Sequence, residues 1–275
     1  MTRLPPSSDV SRRLVTRGTF TGGTRTIPEE VAVAFTYGSS TFAVMMATPD
    51  HIADFAMGFS LTEGIIAGPS EIVEIEVVPH EQGIEARIRL DRNRDDELLS
   101  RKRRLAGPAG CGLCGIESLE AAVAPPRTVT AKLRVDSDSV FAALRALRSG
   151  QRLNEATHAV HAAGFWSVAQ NRLIALREDV GRHNALDKLA GALARADIEA
   201  NTGFIVLSSR LSIELVQKAA MIGCPLLVAI SAPTNFALRA AEAAGMTLIA
   251  VAREDSFEVF THPERILTAA LDEAR

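Results

Sequence analysis

The sequence predicts an α/β architecture in its second half, preceded by a smaller α+β unit built as hairpin, helix and hairpin. Three observations carry this. Short apolar runs without alternation, at residues 204–207, 225–230 and 247–251, interleave with helical segments that have Ser or Thr before them and Gly after. Such runs fit strands of a βαβ sheet covered on both faces. The first half instead alternates polar and apolar residues, as half-buried antiparallel strands do. Between the halves, residues 92–130 break both rhythms with a basic run (Arg101 to Arg104), a glycine-rich stretch and Pro125–Pro126. The expected organisation is a mobile or extended N-terminal lead-in over 1–27, an α+β domain over 28–125 and an α/β domain over 126–275.

The elements follow in order. Residues 31–37 and 41–47 flank Gly38-Ser39-Ser40 and read as a hairpin. Asp50 is placed to cap a helix in which Ile52, Phe55 and Phe59 recur at helical spacing, with Gly64 as its C-terminal glycine. Val73, Ile75 and Val77 then alternate with Glu74 and Glu76, and Ile84, Ala86, Ile88 and Leu90 alternate with Glu85, Arg87 and Arg89, a second hairpin. The second half predicts a helix over 137–147 ending at Gly150, strands over 161–169 and 173–176, and a helix over 185–196. Three further strands follow at the apolar runs, separated by helices over 212–222 and 234–244. Met45, Met46, Phe55, Phe59 and Trp166 are expected in cores, or at an interface.

The chain has 275 residues, 47% of them hydrophobic, enough for a sizeable buried core. A charged fraction of 23% and a net charge of -3 argue against nucleic acid or an anionic membrane as partner. Three cysteines make a disulfide framework a poor reading. With no apolar leader and no membrane-length apolar stretch, a soluble cytoplasmic protein is expected.

Three constellations carry chemistry. In Cys111-Gly-Leu-Cys114-Gly115, two thiols three positions apart can share a metal, form a strained disulfide or pass sulfur or electrons between them. Glycines at 107, 110, 112 and 115 permit close approach of a partner, and the basic run at 101–104 would favour the thiolate if it folds back. A structural zinc half-site is the alternative, but it needs two more ligands, and Cys224 at the head of an apolar strand reads as a core hydrophobe. The deaminase signature His-x-Glu is missing: the histidines read His158-Ala-Val and His161-Ala-Ala. The second constellation, Glu178-Asp179-Val180-Gly181-Arg182-His183-Asn184, joins a strand to a helix containing Asp187 and Lys188, and sets acid, guanidinium and imidazole at one turn. The third is a set of strand-end loops, Ser208-Ser209-Arg210, residues 231–235 and residues 251–256, where helix N-termini present free amides to phosphates.

Taken in order, Glu29-Glu30-Val31, residues 45–49, 55–66 and 110–115, Glu178 to His183 with residues 185–188, Ser208-Ser209-Arg210 and Thr261-His262-Pro263 resemble the FdhD family, whose members are sulfur carrier proteins needed for formate dehydrogenase maturation. The resemblance spans about residues 29–265. It implies that Cys111 carries a persulfide loaded by a cysteine desulfurase, with Cys114 as its helper. The acceptor it implies is the molybdenum cofactor with two molybdopterin guanine dinucleotides, before insertion into the formate dehydrogenase apoprotein. It further implies a cytidine-deaminase-like, three-layer fold for the second half, and dimers that bind the guanine nucleotide part of the cofactor. Cofactor contact is implied for Val251, Ala252, Arg253, Glu254, Asp255 and Ser256, and the resemblance adds weight to Ser208, Ser209, Arg210, Asp179, Arg182 and His183. No metal is expected. The implied histidine is His161, because of its spacing to His183, with Val160 where the family has threonine. The acidic character of 252–256 suggests phosphate contact through backbone amides. A zinc-stabilised nucleotide-binding or scaffold module without sulfur chemistry is the alternative function.

Overall fold

A computed structural model describes residues 4–91 and 125–268. The Cys111–Cys114 motif, the basic run at 101–104 and most of the predicted boundary segment lie outside the described residues.

The N-terminal lead-in is not irregular. Strands β1 (Ser7–Thr16) and β2 (Thr19–Pro28) pair antiparallel along their whole length. The turn between them is Arg17-Gly18, with φ of 45° and 86°, the left-handed pair that a two-residue hairpin turn requires. Sequence alternation missed this hairpin because nearly all of it faces solvent, so no apolar stripe marks either side.

Strands β3 (Val31–Tyr37), β4 (Ser40–Ala47), β5 (Ile72–His80) and β6 (Gly83–Leu90) form a four-stranded sheet in the order β4-β3-β6-β5, with the central pair β3/β6 parallel. Helix α1 (Ile52–Thr62) covers one face. Phe35 stacks on Phe59 at 4.5 Å and meets Phe55 edge-on at 4.9 Å. Two expectations need correcting. Asp50 does not cap α1: the N-cap is His51, in left-handed backbone at φ 55° with no side-chain cap, and the Asp50 carboxylate accepts the His51 N–H and lies 3.4 Å from the His51 ring. On β5 a register shift between Ile72 and Glu74 takes Val73 out of the alternation; Ile75 packs against the core, and Val77, two residues on along this edge strand, is 41% exposed. The helix ends where glycine placed it, with Gly64 at φ 63° and its N–H donated to the Leu61 carbonyl.

The second half is a mixed six-stranded sheet rather than an all-parallel one. Its strands are β8 (His161–Ser167), β9 (Arg172–Asp179), β10 (Gly203–Leu207), β11 (Leu226–Ala229), β12 (Thr247–Ala250) and β13 (Glu258–Val259), in the order β13-β12-β11-β10-β8-β9. Only β10, β11 and β12 run parallel. β8 runs antiparallel to β10 and to β9, and β13 antiparallel to β12. One face is covered by α4 (Arg182–Arg195), α5 (Ile213–Met221) and α6 (Asn235–Ala244), the other by α2 (Ser137–Gly150), which follows the short strand β7 (Val135–Asp136). A short helix, α3 (Arg152–Thr157), leads into β8, and β14 (Ile266–Leu267) pairs with β7. Cys224 is buried in this core, its thiol pushed up to about 12 by desolvation.

The two sheets are joined through a pair of helices touching backbone to backbone. A Cβ on Gly58 of α1 would lie 1.7 Å from the Asp187 carbonyl oxygen, and one on Gly191 of α4 would lie 1.8 Å from that of Asp54. Only glycine permits this approach. It fixes the start of α4 against the first sheet and so sets the position of the residues described next.

Candidate functional site

Because β8 runs against β10 while β11 and β12 run with it, one edge of the six-stranded sheet collects the start of β8 and the ends of β9, β10, β11 and β12. His161, Asp179, Ser208, Ile230 and Val251 therefore share an edge, and the predicted strand-end loops are brought together. Hydrogen bonds tie them. Leu211 N–H donates to Ala232 O and Thr234 N–H to Leu211 O, while Val251 N–H donates to Ser231 O. Arg253 donates its Nη1 to the Ile230 and Ala252 carbonyls, and its N–H reaches Ser256 O at 2.7 Å. Val251 adopts φ 51°, a left-handed conformation costly for a β-branched residue and typical of positions where a fold stores strain for function. The acidity of this loop is partly neutralised, since Glu254 pairs with Arg148 of α2.

The β9–α4 turn divides into two sets of residues. The first is structural. Asp179 and Lys188 are fully buried 2.6 Å apart. Asp179 also accepts from the N–H groups of Thr48 and Gly181 and from Asn184 Nδ2, and Lys188 donates to Thr48 O at 2.8 Å while lying over the Phe55 ring. Burial pulls the Lys188 ammonium below its usual range against the pull of Asp179. A second buried pair, Asp187 and Lys218, stands 3.0 Å apart and is joined by Thr62 and Glu63 of the first half. Burial pushes Asp187 up to about 6 against the opposing charge of Lys218. Burial also works against the Lys218 charge, but Asp187 and Glu63 outweigh it and hold the ammonium above its ordinary value. Glu178 is structural too, accepting the Leu153 and Asn154 N–H groups at the start of α3. Asp179 therefore belongs to the joint between the sheets, with its carboxylate committed on all sides.

The second set has unmet polar capacity. Arg182 Nε, His183 Nε2, Ser212 Oγ and Glu214 Oε2 are buried atoms without a hydrogen-bond partner among the described residues. His183 Nε2 lies 3.9 Å from Glu214 Oε2, beyond direct hydrogen bonding. Buried polar groups are seldom left this way unless water or a ligand completes them. Burial first, then the charges of Arg182 and Lys218, push His183 down to about 4, so it is neutral near pH 7. His161, half-buried, is lowered by burial and by Arg182. Ser212 and Glu214 escaped sequence reasoning because they sit at the start of α5, far along the chain from His183; a serine and a glutamate at a helix start read as ordinary capping. Ser208 bridges to β8, its Oγ accepting Ala162 N–H at 2.8 Å, Ser209 is buried, and Arg210 is exposed. The edge thus offers a neutral imidazole, a guanidinium, a carboxylate and a strained loop, a set suited to holding a polar, anionic ligand and to moving protons.

Known proteins share the sequence and the fold of this chain. The chain is 52% identical over 259 residues to the sulfur carrier protein FdhD of Agrobacterium fabrum, covering 94% of this chain and 95% of that protein. It is 45% identical over 268 residues to that of Brucella abortus, covering 97% and 99%. A crystal structure of a formate dehydrogenase accessory protein from Desulfotalea psychrophila superposes with a TM-score of 0.74 at 25% identity, covering 96% of this chain and all of that one. Residues 28–267 match the model of the FdhD/NarQ family, and the chain belongs to that family.

Proposed function

We propose that this protein is a sulfur carrier serving formate dehydrogenase. The observation that carries the reading is the family match over residues 28–267, which contains the Cys111-Gly-Leu-Cys114 motif and includes relatives named as sulfur carriers. In this reading the Cys111 thiolate attacks the outer sulfur of a cysteine desulfurase persulfide. The donor's S–S bond breaks, its cysteine leaves as thiolate, and Cys111 holds the sulfur as a persulfide. Delivery as sulfide needs two electrons. The Cys114 thiolate supplies them by attacking the Cys111 sulfur, which forms the Cys111–Cys114 disulfide and expels hydrosulfide to the acceptor.

The acceptor is the molybdenum cofactor bearing two molybdopterin guanine dinucleotides, bound as substrate before its insertion into the apoenzyme. Its docking edge is the sheet edge described above, with amides of 251–256, the Ser208-Ser209-Arg210 loop, Arg182 and His183 as contacts; a guanine nucleotide alone would occupy part of it. We read the helix-covered six-stranded sheet as the family's cytidine-deaminase-like layer structure, and a reducing cytoplasm as the setting that keeps both thiols free.

The test is non-reducing, denaturing intact mass after incubation with a cysteine desulfurase and cysteine. The wild type should gain the mass of sulfur and Cys111→Ala should not. No gain on either chain would overturn direct loading and favour a zinc-stabilised module, which stoichiometric metal and loss of structure on chelation would reveal.

A further inference from the structure

The four buried atoms without partners do not play equal parts. Burial works against the charge of Glu214, but the nearby Ser212 hydroxyl and its own N–H outweigh it and hold the carboxyl below its ordinary range. An ionised carboxylate only accepts hydrogen bonds. It lies 3.9 Å from Nε2 of His183. That imidazole is neutral near pH 7, because burial and the charges of Arg182 and Lys218 outweigh those of Glu214 and Glu63. A neutral ring has one proton to place, and the facing carboxylate favours it on Nε2. Nδ1 is then left bare. It is not among the buried unpartnered atoms and forms no hydrogen bond among the described residues, so it lies in the accessible part of a side chain that is 14% exposed.

Arg182, the preceding residue, offers the opposite chemistry. Only its Nε is among the buried unpartnered atoms, and its guanidinium forms no ion pair among the described residues. It opens α4, a helix of 14 residues whose N-cap, Gly181, supplies no side-chain cap. A guanidinium beside uncapped helix amides suits an anion. Ser212, only 8% exposed, sets a further unpartnered hydroxyl near the same carboxylate. The ligand these groups fit therefore carries an anion next to a hydrogen-bond donor. A phosphate ionised at neutral pH has no proton to give Nδ1. The nearest donors to the phosphates of a nucleotide are its ribose hydroxyls.

We propose that Glu214 is a positioning residue that holds His183 in the Nε2–H tautomer, so that His183 Nδ1 accepts a hydrogen bond from a ribose hydroxyl of a nucleotide whose phosphates lie on Arg182. This rests on the nucleotide-docking reading above and adds which part of the ligand each side chain meets.

Two measurements on the full chain test it. The first needs no nucleotide. Long-range ¹H–¹⁵N spectra of histidine-labelled protein at pH 7, with the His183 signal assigned from His183→Gln, report which ring nitrogen holds the proton. The expected result is a proton fixed on Nε2 in the wild type and a mixture of tautomers in Glu214→Gln, an isosteric change whose amide both donates and accepts. A proton on Nδ1, a charged ring, or the same fixed tautomer in Glu214→Gln would overturn the positioning role. The second measurement is calorimetry with GDP and 2′,3′-dideoxyguanosine diphosphate. The wild type should prefer GDP by about fivefold, the worth of one neutral hydrogen bond. That preference should vanish in His183→Gln and persist in part in His183→Asn, whose shorter side chain places an amide near the Nδ1 position. Equal binding of both nucleotides by the wild type, or a preference that survives His183→Gln, would overturn the ribose contact while leaving nucleotide docking intact. A wild type that binds neither nucleotide would overturn the docking reading and this proposal together, whatever the tautomer.

Discussion

Within one turn, Asp179 and Lys188 show what Arg182 and His183 do not. The first two are buried charges held by each other and by partners drawn from both halves of the chain. Arg182 and His183, which lie between them in the chain, have buried nitrogens without partners among the described residues, and His183 lies 3.9 Å from Glu214, which with Ser212 does the same. The desolvation penalty is met in one set and left open in the other. Charged residues at a single strand-to-helix turn thus separate into a rigid joint and an unfilled site, and the joint is what holds the site's groups in place while they wait for a ligand.

The contrast can be broken most directly from the joint. Asp179→Ala strands the Lys188 ammonium and should cost about 3–5 kcal/mol, the usual penalty for leaving a buried charge unpaired; urea unfolding measures it. A loss comparable to that at an exposed pair would mean the joint is not a joint. Next in size, Gly191→Ala must push α1 from α4, because its Cβ would meet the Asp54 carbonyl oxygen at 1.8 Å. The expected cost is about 1–3 kcal/mol or more.

The site half is sharpened by pH. His183 has a folded pKa of about 4 against an unfolded value of 6.5, so the unfolded chain takes up a proton that the native one refuses. Its contribution to stability is present above 6.5 and is lost as pH falls from 6.5 towards 4, by up to about 3 kcal/mol. Asp187 works the other way: with its folded pKa raised to about 6, its contribution is present below 3.8 and is lost as pH rises through 6. Thermal melts across pH 4–7 should therefore show His183→Gln losing less stability on acidification than the wild type. Parallel curves would remove the unpaired imidazole from the argument. Smallest of all, Arg148→Ala breaks the exposed pair with Glu254, whose side chains are 64% and 71% exposed, and should change stability by less than about 1 kcal/mol.

The legible parts of the fold are those where burial imprints a period. Ile84, Ala86, Ile88 and Leu90 alternate because β6 has one buried face, and β10, β11 and β12 are solidly apolar because helices cover both of theirs. The N-terminal hairpin has no buried face and so left no pattern, and on the edge strand β5 the register shift displaced Val73 while Val77 stayed exposed. At the site, Arg182 and His183 stood out by their density in the sequence. Glu178 and Asp179 stood out equally, although Glu178 holds the start of α3 and Asp179 serves the joint. Ser212 and Glu214 gave no signal because their partner residues are distant in the chain.

The sequence by itself determined the types of the elements that bury a face, the glycine-rich thiol motif and, through the ordered motifs, the family, since these rest on local periodicity and residue identity. Tertiary structure decided which charged residues are framework and which are site. It also decided that β8 runs against β10 so that His161 joins the strand-end loops, and that Gly58 and Gly191 lock the two halves together. The physical reason is that a charged residue's role depends on whether its partners arrive after folding, and those partners come from elements far apart along the chain.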